Sequence, residues 1–174
     1  MLQSIQSTER NTVSFGHRLA TSEAFKVLFR EGMLLVEDAA AYLDGEGRKD
    51  ARRLTRGDAL AYASESMRLT TRLMQLASWL LLQRAVNEGE MTQGQAAADK
   101  HKVLLSRQEL ASAPDAFARL PERLQELALQ SQRLQARIIH MDRLIYGAEP
   151  EAVLPPVVLG QLDQLRAAFE HRVG

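Results

Sequence analysis

No cysteine occurs among the 174 residues of this sequence. Disulfide staples and thiolate-ligated metals are thereby excluded, and the chain must hold together by packing alone. Neither sign of charge dominates, with 22 Lys and Arg against 22 Asp and Glu. No single-sign field exists to draw in nucleic acid or an anionic membrane. Long apolar runs are missing as well: the longest near-apolar stretch, Ala77 to Leu82, is bounded by Gln75 and Gln83. That is far short of the roughly 20 residues a membrane-spanning helix needs. The opening segment, Met1 to Ala20, is polar, is broken by Asn11, Ser14 and Gly16, and has no apolar stretch of the kind a secretion signal uses. It reads as a loose arm on a cytoplasmic protein. Five prolines and ten glycines fall mainly between periodic stretches, and no stretch alternates as a strand would.

What is present is helical periodicity. Thr21 or Ser22 offers a cap oxygen for a first helix running to Leu43. Along it Phe25, Leu28, Phe29, Gly32, Val36, Ala39 and Leu43 recur at three and four residues and form one apolar stripe. Asp44-Gly45-Glu46-Gly47 is expected to end it through a left-handed glycine. Val27 and Leu34 lie away from that stripe, either as ordinary exposed residues or as a docking strip. Arg48 to Arg56 reads as a basic connector. With Asp50 in it and no aromatic residue, it lacks the features of a nucleic-acid patch.

The second helix, about residues 58–87, carries two stripes. Met67, Thr70, Met74, Ala77 and Leu81 form one, and Leu69, Leu73, Leu76 and Leu80 form another, rotated by roughly 110°. Around Ser78 to Leu82 the helix is apolar on nearly every side. A bundle helix needs one broad face for its mates, so Trp79, Leu80 and Leu82 are assigned to a homodimer seam or partner groove. Arg68 and Arg72, on the charged side, are expected to orient an acidic partner. Gly89 closes the helix, and the connector 91–113 has room for a short one.

A third helix is expected to begin near Pro114 or Pro121 and to end at Gly147. Phe117, Leu120, Leu124, Leu127, Ser131, Leu134, Ile138, Met141 and Ile145 alternate steps of three and four, the spacing of a coiled-coil-like seam. The fold read from this pattern is an all-α, antiparallel, up-down-up three-helix bundle over residues 21–146. An arm (1–20) precedes it and a tail (147–174) follows. In the tail Leu159, Leu162, Leu165 and Phe169 mark a short amphipathic helix. Its face of Leu162, Leu165 and Phe169 either docks back on the bundle or contacts a partner.

Catalytic patterns are missing. His17, His101, His140 and His171 are scattered, and none has an acid or a second histidine at metal-ligand spacing on a helix. There is no glycine-rich phosphate loop and no nucleophile elbow. No cofactor and no metal are expected. Histidine phosphotransfer domains offer one alternative, since His140 lies just off the third helix's apolar seam. That family places lysine three and glycine four residues after its histidine, where this chain has Arg143 and Leu144. The charge is kept and the cleared space is not. A purely architectural helical dimer is the other alternative.

The residues also carry a resemblance. Glu31-Gly32-Met33 through Tyr42-Leu43-Asp44-Gly45, the run Glu65-Ser66-Met67-Arg68-Leu69-Thr70-Thr71-Arg72-Leu73, and Gln83-Arg84-Ala85-Val86 with Glu88-Gly89-Glu90-Met91 resemble the alphaproteobacterial RcdA family, regulators of CtrA degradation. The likeness covers the first two helices and continues into the third by pattern. It implies a dimeric three-helix bundle that serves as a non-enzymatic adaptor for the ClpX–ClpP protease. The partners it implies are a single-domain response regulator, cargo transcription regulators of the cell cycle, and a further protein that senses cyclic di-GMP. It brings no catalytic residues to carry over.

Overall fold

A computed structural model describes residues 18–100 and 113–147. The arm and the tail lie outside the described residues, save 18–20 and Gly147. Helix α1 spans Glu23–Asp44, α2 Glu46–Arg53, α3 Arg56–Asn87, α4 Gln93–Lys100, α5 Pro114–Ala118 and α6 Glu122–Tyr146. No strand occurs among the described residues.

Local chemistry sets the boundaries. Ser22 caps α1, its hydroxyl accepting from the Phe25 amide at 3.4 Å, and Thr55 caps α3 by accepting from the Asp58 amide at 3.2 Å. Gly89, at φ 76°, closes α3 in the left-handed conformation expected of it. Gly45 does not behave this way. Its φ is −108°, and α2 starts directly behind it. The expected basic connector is therefore largely a helix. Glu46 at its start and Arg52 and Arg53 at its end suit the helix dipole. Its glycine matters for space: Gly47 is buried, and a Cβ there would strike the Tyr62 hydroxyl and the Tyr42 backbone. Tyr42 donates to Asp50 at 3.0 Å and ties α2 to α1.

The three long helices, α1, α3 and α6, bury one core. Phe25, Leu28, Leu35 and Ala39 enter it from α1, Leu69, Leu73, Leu76 and Leu80 from α3, and Leu124, Leu127, Leu134 and Ile138 from α6. The all-helical bundle is as expected, but its path differs. Helix α1 runs antiparallel to α3, with Asn87 donating to the Ala20 carbonyl at one end and Gly47 meeting Tyr62 at the other. It also runs antiparallel to α6, through the ion pairs Glu31–Arg137 and Asp38–Arg123. Helices α3 and α6 are parallel, because Arg72, Trp79 and Gln83 bond in the same order to Ser131, Asp142 and Tyr146. The path is up-down-down rather than up-down-up. Lys100 sits beside Asp142 at one end of the bundle, while Arg119 sits beside Asp58 at the other. These two ion pairs place α4 and α5 at opposite ends of the bundle.

Candidate interaction surface

The polar residues of α3 show which of its sides faces inward. Arg72, 3% exposed, donates to Ser131 at 2.6 Å across the core. Trp79 Nε1 donates to Asp142 Oδ1 at 2.7 Å, and Asp142 Oδ2 accepts from Lys100 at 2.9 Å. Tyr146 donates to Gln83 at 2.8 Å, and Gln83 donates to Asn87 at 3.0 Å. The Lys100 ammonium lies 4.6 Å from the Tyr146 ring centroid, a cation–π contact. Burial, with the Asp142 charge adding to it, pushes the Tyr146 phenol up to about 12. This network joins α3, α4, α6 and residue 20 at one end of the bundle.

These contacts correct several sequence assignments. Trp79 (2% exposed) and Leu80 (buried completely) belong to the core of the single chain, so neither can anchor another chain from the surface. Trp79 packs against Phe25 with ring centroids 6.4 Å apart, and Leu80 fills the space left by Gly32, where a Cβ would overlap it. Arg72 is buried and cannot meet an acidic partner. Arg68 lies at the edge, only partly exposed, bonded to Glu65 at 2.7 Å. Leu82 is half-buried. Leu162, Leu165 and Phe169 lie outside the described residues. His140 is exposed, and Leu144 lines the same shallow surface.

The apolar surface that does face outward is the other stripe. Met67 is 72% exposed, Met74 66% and Leu81 52%. Leu60, one heptad before Met67, is 67% exposed and extends the stripe to nearly the whole of α3. Sequence reading missed Leu60, although a repeat of seven counted back from Met67 would have found it. A second feature is a groove of about 590 Å³ between the start of α1 and the end of α3, lined by Phe25, Phe29, Met33 and Leu34. Arg84 closes one wall, its guanidinium 5.3 Å from the centre of the Phe29 ring. Leu34, at 54% exposed, forms its lip, and Val27, the other residue of the expected strip, is also exposed. Among the described residues no cluster of His, Asp and Glu could hold a metal, and no helix is long and apolar enough to cross a membrane.

A family model described as "Protein of unknown function (DUF1465)" matches residues 16–169. Among curated proteins none matches. Among solved structures, the crystal structure of RcdA from Caulobacter crescentus CB15 is 49% identical, covering 76% of this chain and 99% of that one, with a TM-score of 0.63.

Proposed function

This chain belongs to the RcdA family, and from that premise we propose that it works without catalysis, as an adaptor delivering cell-cycle regulatory proteins to the ClpX–ClpP protease. The observation that carries this reading is the 49% identity, which extends over 99% of the RcdA crystal structure. Binding supplies the function by raising the local concentration of cargo at the protease. The partners are ClpX–ClpP in the cytoplasm, a single-domain response regulator, cargo transcription regulators and a second copy of the chain. Two features support a binding role: the exposed stripe on α3 and the groove between α1 and α3, each larger than chance exposure of single residues accounts for. The tail face of Leu162, Leu165 and Phe169 serves protease or cargo. A purely architectural dimer is the competing reading. It predicts a partner complex indifferent to protease components.

The test is reconstituted degradation of a candidate cargo by ClpX–ClpP with the response regulator present. The unaltered protein is compared with a variant carrying Leu162→Ser, Leu165→Ser and Phe169→Ser. Faster cargo loss with the unaltered chain supports the adaptor reading, and loss of that effect in the variant assigns delivery to the tail. No acceleration across the regulators of the cell cycle would refute the adaptor.

A further inference from the structure

The groove of about 590 Å³ between the start of α1 and the end of α3 lies open to water. Its α1 wall is apolar, built from Phe25, Phe29, Met33 and Leu34. Leu34 is 54% exposed there. Phe29 and Met33 are only half-buried, so each still presents apolar surface to an occupant. A recess of this size takes several side chains at once, and covering it removes apolar surface from water.

We infer that the occupant is this chain's own tail. Leu159, Leu162, Leu165 and Phe169, on one helical face, lie in the groove whenever no partner holds them. The docking needs no partner and goes beyond the adaptor reading. Its consequence for delivery rests on that reading, because protease or cargo must then lift the tail out before binding it.

Position is the first argument. Tyr146 donates to Gln83, Gln83 donates to Asn87, and Asn87 donates to the Ala20 carbonyl. Asn87 also lines the groove. The chain therefore leaves α6 at the end of the bundle where the groove opens. Residues 148–158 separate that exit from Leu159, and Pro150, Pro155 and Pro156 give them the composition of an extended spacer. In that form they reach roughly 34 Å. This is about three helix diameters, enough to pass round the end of α3.

Shape is the second. Along α1 the groove runs from Phe25 to Glu37, roughly 18 Å at the helical rise. Leu159 to Phe169 as a helix spans roughly 15 Å. A helix laid in an apolar groove holds on through anchors three and four residues apart, which is the spacing of these four residues. The arm offers no such face, since every residue between Ile5 and Val13 is polar.

Charge is the third. The groove is lined by Lys26, Arg30 and Arg84 against Glu37 and Glu88. Residues 148–174 carry the opposite balance, with Glu149, Glu151, Asp163 and Glu170 against Arg166 and Arg172. Lys26 is engaged by Glu23 and Arg84 by Glu88, while Arg30 is exposed on the α1 wall. Asp163 and Glu170, seven apart, border one flank of the tail's apolar face and suit that cation. Rim pairs of this kind set orientation more than they add affinity.

Tethering makes a modest contact sufficient. A short linker holds the tail at an effective concentration on the order of 1 mM, so an intrinsic Kd of about 0.1 mM keeps it docked ~90% of the time. A partner of the tail then binds ~10-fold more weakly than it would to a free tail.

Because the chain has no cysteine, one introduced thiol reports whether the groove is covered. Leu34→Cys places it on the exposed lip. Labelling by a neutral maleimide is followed in the full-length protein at low micromolar concentration, with no other protein present. The comparison is the same chain carrying Leu162→Ser, Leu165→Ser and Phe169→Ser. The thiol is expected to react ~10-fold faster in the triple-serine chain, with equal helical content by circular dichroism. Ala136→Cys, on the exposed surface shared by α1 and α6, is expected to react at one rate in both. Equal rates at Leu34→Cys would overturn the docking. Slowing at Ala136→Cys instead would put the tail against α6 and overturn the groove as its site. Slowing at Leu34→Cys that appears only as protein concentration is raised would overturn docking within one chain and assign the groove to a second copy. Protease and cargo are absent throughout, so failure here is separate from failure of the adaptor reading in the degradation assay.

Discussion

Trp79 is the residue on which a surface reading and a core reading part most sharply. In the structure it is 2% exposed, packs on Phe25 at 6.4 Å and donates to Asp142 at 2.7 Å. Trp79→Ala therefore opens a large cavity, a change that costs about 3–5 kcal/mol. It also removes a hydrogen bond to a carboxylate, a class worth about 1.5–3 kcal/mol, though Asp142 keeps Lys100 at 2.9 Å. The two terms overlap, since both belong to one side chain, so the expected loss is about 4 kcal/mol. Against a total of about 5–15 kcal/mol for a domain, that is enough to bring the fold near its threshold. Trp79→Phe keeps the ring contact with Phe25 and drops the indole N–H, for an expected loss of about 2 kcal/mol. The assay is urea unfolding followed by far-UV circular dichroism, with mass by light scattering on the same samples. The core reading requires both variants to unfold at lower urea, in that order, with Trp79→Phe keeping the association state of the unaltered chain. If both unfold within ~0.5 kcal/mol of the unaltered chain and instead lose their self-association, Trp79 is a surface anchor and the packing described above is wrong.

Two further outcomes follow from the same network. Ser131→Ala removes an acceptor 2.6 Å from the buried Arg72 guanidinium and is expected to cost about 1–3 kcal/mol, measured by the same urea titration; a neutral result would mean that the remaining contacts of Arg72 hold it without Ser131. Tyr146 sets an alkaline limit: its phenol is raised from 10.0 to about 12 by burial. The neutral form is the one the fold favours, so its contribution is fully present below pH 10 and is lost as the pH climbs towards about 12. The stability difference between the unaltered chain and Tyr146→Phe should be constant at lower pH and shrink across that window, and a difference that stays flat would refute the linkage.

Much of the bundle was legible because its signals are local. The steps of three and four from Leu120 to Met141 mark one face of α6, and every residue on that face from Leu120 through Met141 is buried. Ser22 and Gly89 mark helix ends through side-chain and backbone preferences that act within one turn. The direction of α6 was not legible. It depends on whether the connector after α3 turns in place or returns along the bundle, and composition between Met91 and Ala113 carries no mark of either. The identity of the inward face of α3 was not legible for a related reason. From Ser78 to Leu82 the helix is apolar almost all round, so periodicity leaves two faces available and a lone tryptophan suggests an exposed anchor.

What decides between those faces is the location of each polar partner. Trp79 and Arg72 find their acceptors on α6, at Asp142 and Ser131, 63 and 59 residues along the chain. The core side of α3 thus carries polar groups, the Trp79 indole and the Arg72 guanidinium among them, with partners on another helix. On the opposite side, Thr70 and Ser78 are satisfied by carbonyls of their own helix. That face needs nothing from a neighbour in order to fold, and so it can stand bare with Met67 and Met74 exposed. A helix that is apolar all round can therefore be divided by asking which hydrophilic groups need a distant partner: the side that does is the core. The side whose hydroxyls are already paired is the one left over for binding.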